Sequence, residues 1–405
     1  MGALGRFRGI SAAAAASLLL AALCAGPAPA AAPPGRPDLD PATVQRLDDA
    51  LAAAMERGGF PGMNVGLWID GGGSYQRSLG VSDQATGAPM KADLFHRIGS
   101  VTKTFTVTAV LQLVDEGRIG LDDPIARYVD GVPGGERITV RQLAGMRSGL
   151  YDYTLDPTWM AEVRANPQRV YTPRQLLDIA FAHPAQFPPG TKWMYSNTNT
   201  VLLGLLIEKV GGQPLAAFLR EHVFDALHLN DTSLPKDGAM PTPYAHGYTD
   251  FSPSGKPVDS SLWNPSWAWA AGAVISDLDD LRAWVPALAD GRLLEPATQA
   301  QRMRMTPTGH PGLGYGLGIL SLNGWVGHNG DIPGYETLAI RLPAERTTLV
   351  VLINSDIDNG TGSLSSLIGK TVTEIVTPRH PFAPPSAAQP NQPNQPGVTP
   401  SPSGG

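Results

Sequence analysis

The sequence predicts an α/β protein of the α+β kind. One antiparallel sheet is built from both chain ends and flanked by helices, with a mostly helical region inserted between its two parts. Three observations predict this. Paired strand-like stretches with turn residues between them occur near each end of the body, alternating in the first pair. A helical apolar pattern adjoins each of these strand pairs. The intervening stretch carries one helix pattern after another, punctuated by proline, glycine and aspartate.

From the N-terminal side, 41–57 reads as a helix, with Val44, Leu47, Leu51 and Met55 at spacings of three and four and Gly58-Gly59 as its stop. Met63, Val65, Leu67 and Ile69 then alternate into Asp70-Gly71-Gly72-Gly73, and 75–81 follows as a second strand. Helices are expected over 100–116, 139–146, 172–182, 200–210 and 215–224. At the far end, 337–342 and 347–354 flank Pro343-Ala344-Glu345-Arg346 as a second hairpin, and 363–376 reads as a closing helix. The catalytic body is therefore expected over 33–377. Its sheet part lies at about 37–99 and 270–377, and its helical part at about 100–269, with a substrate cleft between them.

Both ends read as lying outside this body. Arg6 and Arg8 precede an apolar run from Ile10 to Leu23, and Ala28-Pro29-Ala30 offers a small-residue cleavage site. That order of parts predicts a secretory signal over 1–32, and a secreted or cell-envelope protein with no stable membrane insertion once the signal is removed. The single cysteine, Cys24, lies within it, so the mature chain is expected to have no disulfide and no thiol chemistry. From Pro378 to Gly405 the composition turns to Pro, Gln, Asn, Ser and Gly, which predicts a disordered tail.

Charge narrows the functional classes. A formal net charge of −6 with no basic block argues against a nucleic-acid partner. There is no G-x-S-x-G elbow, no H-E-x-x-H and no P-loop, and the eight histidines are scattered, so neither a metal nor a cofactor is expected.

Three short motifs carry chemistry. In Ser100-Val101-Thr102-Lys103, residues three apart on a helix share a face, so the lysine amine can sit beside the serine hydroxyl and take its proton. Tyr195-Ser196-Asn197 offers a phenol to shuttle a proton and an amide to hold a substrate amide. His328-Asn329-Gly330 adjoins a strand, where glycine lets a substrate backbone approach. Each has a plainer reading: Ser100 as a helix N-cap, Ser196 and Asn197 as caps, and His328 as a turn histidine. A second S-x-x-K, Ser233-Leu234-Pro235-Lys236, reads as a surface loop because its proline opposes a helix interior.

Taken together and in this order, SVTK, YSN and HNG resemble the motif set of class C β-lactamases and penicillin-binding proteins. The stretches LQLVDEGRI, ITVRQLAGMRSGLYDYT, SWAWAAGAVIS and GYGLG strengthen the resemblance, nearest to secreted actinobacterial D-alanyl-D-alanine carboxypeptidases. It implies the β-lactamase/DD-peptidase fold and a secreted serine hydrolase working through an acyl-enzyme. The substrate would be a small peptide, ester or β-lactam. A D-Ala-D-Ala carboxypeptidase leads, ahead of an esterase, amidase or β-lactamase, with a penicillin-binding receptor as the non-enzyme alternative. In that resemblance Ser100 is the nucleophile, and Lys103 and Tyr195 share the acid and base work. Asn197 binds the acyl amide, and His328 keeps a cation near the leaving group. Asn329, Gly330 and Asp331 border the substrate, with the backbone N–H groups of Ser100 and Asp331 as oxyanion hole. Trp267 and Trp159 wall the cleft. Two departures stand out: Asn329 and Asp331 replace the usual hydroxyl residues beside Gly330, and Ile319-Leu320 follows GYGLG where close relatives carry an arginine.

Overall fold

The computed structural model describes residues 39–384. The expected signal, with Cys24, and the tail beyond Ala383-Pro384 lie outside the described residues.

In chain order, α1 (Pro41–Gly58) leads into the hairpin β1 (Gly62–Ile69) and β2 (Ser74–Asp83), followed by the short β3 (Ala88–Pro89) and β4 (His96–Arg97). A 3₁₀ turn, Gly99–Val101, opens directly into α2 (Thr102–Asp115). The helical region continues with α3 (Val140–Ala144), α4 (Pro157–Ala165), α5 (Pro173–Phe181), α6 (Asn197–Gly211) and α7 (Leu215–Leu219). A small ribbon of β5 (Tyr248–Thr249) and β6 (Val258–Asp259) precedes α8 (Trp269–Gly272), β7 (Ile275–Ser276), α9 (Leu278–Asp290) and α10 (Pro296–Arg302). The chain then returns to the sheet with β8 (Thr306–Pro307), β9 (Leu313–Tyr315), β10 (Leu320–Leu322), β11 (Trp325–Ile332), β12 (Tyr335–Leu342) and β13 (Thr347–Ile353), and ends on α11 (Leu364–Val376).

Nine strands form one antiparallel sheet in the order β3-β2-β1-β13-β12-β11-β10-β9-β8. The first and last parts of the chain therefore meet at β1 and β13, where Val65 pairs with Val351. Both faces are covered. Leu349, Val351 and Ile353 pack toward Leu47 and Leu51 of α1 and Ile368 of α11. Val350 and Leu352 pack toward Leu281 and Trp284 of α9. Burial on both sides explains why β13 is apolar throughout rather than alternating.

Helix starts follow local chemistry. Asp40 caps α1 by accepting from the Thr43 amide ahead of a first-turn proline. Capping boxes start α3 (Thr139 with Gln142) and α5 (Thr172 with Gln175). The catalytic-side helix α2 carries four β-branched threonines, a poor composition for an exposed helix. It is buried instead, and its hydroxyls find partners. Thr102 accepts from the Val274 amide (3.0 Å), Thr106 donates to the Ala270 carbonyl (2.8 Å), and Thr104 accepts from the Trp284 indole (2.9 Å). These bonds fix α2 against α8 and α9.

Several boundaries differ from the sequence reading. The helix expected over 200–210 begins at Asn197, which places the Y-x-N motif at its first turn. The one expected over 215–224 closes after Leu219 and continues as a wider turn. Helix α9, inside the expected sheet part, went unassigned. The segment after Pro378 begins as part of the body, not the tail: Phe382 is 3% exposed, and Trp325 donates to the His380 carbonyl.

Candidate active site

Ser100 sits in the 3₁₀ turn ahead of α2 rather than in the helix itself. Two glycines allow this turn to press against β11. Gly99 has φ +49°, and a Cβ there would lie 2.5 Å from the Asp331 amide nitrogen. A Cβ on Gly330 would lie 2.0 Å from the Ile98 carbonyl oxygen and 3.0 Å from the Ser100 nitrogen. The backbones of Gly99-Ser100 and Gly330-Asp331 are thus side by side, as an oxyanion hole formed by the Ser100 and Asp331 amides requires. β10 pairs only with 325–327 of β11, so the 328–332 edge is left to face the Ser100 turn.

Lys103, fully buried, donates from Nζ to three oxygens: Ser100 Oγ (2.9 Å), Asn197 Oδ1 (2.8 Å) and the Ala271 carbonyl (2.7 Å). Burial pushes its amine down to about 7, against a smaller opposing pull from Asp152. Two of these partners are carbonyl oxygens that only accept. In the neutral amine they take both N–H bonds, and the lone pair is left facing Ser100. Tyr195 donates its hydroxyl to Ser100 Oγ at 2.7 Å, and the Lys103 nitrogen lies 4.8 Å from the Tyr195 ring centre. Ser100 Oγ therefore accepts from the phenol and is placed to give its own proton to the lysine.

The Asn197 amide is fixed at both ends. Its oxygen accepts from Lys103, and its nitrogen donates to Asp152 Oδ2 at 3.1 Å. Asp152 also accepts from the Thr154 amide at 3.1 Å and is 4% exposed. Sequence reasoning missed Asp152. The signal available was an aspartate two residues after Gly149-Leu150 in the stretch SGLYDYT, which no motif assigns.

The third motif departs most from expectation. His328 is buried, and burial together with Lys103 pushes its imidazole down to about 3. The Asn329 carbonyl accepts from Nδ1 (2.5 Å), and Nε2 accepts from the Tyr315 hydroxyl (3.0 Å). The ring is a neutral tautomer, which corrects the expectation of a cation here. Asp331 is partly exposed near the end of β11. It pairs across the sheet with Glu336. The Glu336 carboxylate accepts from the Ser363 and Ser365 hydroxyls and the Leu364 and Ser365 amides at the start of α11. Burial raises the Glu336 carboxyl as well, against those four donors, and burial beside Glu336 and Asp356 pushes the Asp331 carboxyl well above its ordinary range. Asn329, on the same face of β11 as Asp331, is partly exposed.

β11 passes Ser100 at Gly330, which separates two sides of the site. On one side His328 lies beside Tyr195, their rings 6.3 Å apart. On the other, Ile332 and Pro333 line a cavity with Trp263, Pro265 and Trp267. Trp267 borders this cavity, whose lining does not include Ser100, Lys103 or Tyr195. Trp159 does not: it is 4% exposed, and it packs edge-on against Tyr153 and behind Trp267. The second S-x-x-K lies outside any helix, with Lys236 exposed.

A serine whose hydroxyl lies between a buried lysine and a tyrosine, at the edge of a sheet that supplies amide donors, defines an acyl-transferring serine hydrolase. The chain belongs to the β-lactamase family, whose model matches residues 47–365, within the wider group of β-lactamases and penicillin-binding proteins. It is similar to a D-stereospecific amidohydrolase from Streptomyces sp., at 35% identity with a TM-score of 0.72, covering 82% of this chain and 97% of that one. It is also similar to D-amino acid amidase from Ochrobactrum anthropi SV3, at 30% identity with a TM-score of 0.71, covering 84% and 97%. Penicillin-binding protein 4* of Bacillus subtilis (strain 168) is 27% identical over 304 residues, 70% of this chain and 66% of that protein's length.

Proposed function

We propose that this serine hydrolase cleaves amides and esters of D-amino-acid-type acyl groups whose leaving side is uncharged. Lys103 takes the Ser100 proton as Oγ attacks the carbonyl carbon, and Tyr195 gives its proton to the departing amine or alcohol. In the second half, water gives a proton to the Tyr195 oxygen and attacks the acyl-enzyme, and Lys103 returns its proton to Ser100. Because Tyr195 serves the leaving group, the His328 side is the leaving side.

The observation that carries this reading is the neutral His328 on the leaving side. His328 is neutral, and Ile319-Leu320 follows GYGLG. A substrate carboxylate brought beside His328 meets a neutral imidazole, so its desolvation is uncompensated there. The D-configuration rests on the similarity to the two amide hydrolases. The D-Ala-D-Ala carboxypeptidase reading stands second. The resemblance of the motif stretches and the likeness to penicillin-binding protein 4* favour it, and the missing cation opposes it.

Comparing kcat/KM for a D-amino-acid amide, a D-Ala-D-Ala peptide and the C-terminal amide of that peptide tests the proposal. Neutral substrates should be handled at least as well as the free acid, and a strong preference for the free acid contradicts it. Penicillin should acylate Ser100 and leave slowly, because Tyr195 alone must activate the water; rapid cephalosporin turnover would instead mark a β-lactamase. We also propose export, from the pattern of the first 32 residues. Its test is the intact mass of secreted protein, which should lack Cys24.

A further inference from the structure

We infer that Asp152 is a positioning residue for the reaction, acting through Asn197 to keep the Lys103 lone pair on Ser100. This rests on Ser100 being the nucleophile, which loss of labelling in Ser100→Ala tests separately.

An asparagine amide has two chemically opposite ends of nearly equal size. Only its oxygen end leaves Lys103 with two fixed acceptors and a lone pair toward Ser100. Turned over, the amide would present N–H donors to Lys103, and the amine would spend its lone pair on Asn197 instead. Something must select the orientation, and an ionised carboxylate does so because it accepts and does not donate. Asp152 is that group: its oxygens lie 3.1 and 3.4 Å from Asn197 Nδ2, and although burial raises its carboxyl above the ordinary range, the Thr154 and Asn197 donors and Lys103 favour its charged form. The carboxylate is buried and has no arginine or lysine within ion-pairing distance among the described residues, an arrangement costly for stability alone. Through the amide it also places a negative charge near the Lys103 ammonium, which offsets part of the burial cost of protonating that amine.

The ionisable groups around Lys103 come from each element packed on it: Asp152 before the Tyr153–Leu155 turn, Tyr195 ahead of α6, and His328 on β11. α8 contributes only the Ala271 carbonyl. Tyr151 and Tyr153 flank Asp152, and Tyr153 donates to the Trp267 carbonyl. Asp152 is therefore the one group in this set whose removal subtracts a negative charge near the amine.

The test is the pH dependence of Ser100 acylation by a fluorophosphonate, which needs no knowledge of the natural substrate. Asp152→Asn keeps the shape but removes the charge and the acceptor-only character. Its acid limb should move to lower pH by about one unit, and the limiting rate at high pH should fall about tenfold or more, because the amide is free to turn. The exchange Asp152→Asn with Asn197→Asp moves the charge into direct contact with Lys103, and its limb should move to higher pH than wild type. The exchanged protein serves as the second readout if the single variant does not fold. Unshifted limbs in the variants that fold, whatever their rates, would overturn the inference and leave Asp152 a purely structural group.

Discussion

The chain carries the same four-residue pattern twice, and the two copies have opposite surroundings. Ser100 and Lys103 are buried at the junction of α2 with the sheet, in helical spacing, with two carbonyl oxygens holding the amine. Ser233 lies in an extended stretch bridged to Ile275, followed by Pro235, and Lys236 projects into solvent. The difference teaches that S-x-x-K is only a spacing. It becomes a nucleophile and base where burial brings the amine near neutrality and where fixed acceptors decide which way its lone pair points.

Substitutions can break or sharpen this comparison. Ser100→Ala should remove turnover by on the order of 10⁶-fold and abolish fluorophosphonate labelling, whereas Ser233→Ala should leave both unchanged. A mass-spectrometric adduct on Ser233 would reverse the assignment. Lys103→Met should cost about 10²–10⁴-fold in kcat/KM, the usual range for a lost general base, and Lys236→Met should cost nothing measurable. Tyr195→Phe should slow amides more than activated esters, since a good leaving group needs little help from a proton; equal losses on both would deny Tyr195 its role as acid. The smallest effect is expected for Tyr315→Phe. It leaves His328 Nε2 without its donor, at roughly 1 kcal/mol of stability read by thermal melting and with under about tenfold change in kcat/KM.

Much of this was legible in the sequence, for physical reasons that differ by region. The first hairpin declares itself by alternation and the second by apolar runs about a turn, and both form as read, meeting at β1 and β13. The three motifs converge because each residue type is matched to one step of acyl transfer. What stayed hidden depends on contacts distant in sequence. The neutral state of His328 follows from its burial beside Lys103, and its tautomer from the Tyr315 hydroxyl and the Asn329 carbonyl. The fate of Asp331 depends on Glu336, which faces it only once β11 and β12 are in register. Trp159 and Trp267 look alike in the sequence, and only packing places one behind the other. Asp152 falls between motifs, and its partner Asn197 lies 45 residues further along the chain.

The central claim is that Ser100 is activated by a buried Lys103 amine whose pKa is brought down to about 7, so that a large share is neutral near pH 7. The most direct measurement is the second-order rate of Ser100 acylation by a fluorophosphonate between pH 5 and 9, under single-turnover conditions. Protonated lysine has no lone pair to offer, so the rate should be low at pH 5, rise through about 7 and level off above it. In Lys103→Met that limb should vanish along with most of the rate. A wild-type rate that stays flat from pH 5 to 9, or one that rises only above pH 9 as for an ordinary exposed lysine, would contradict the account.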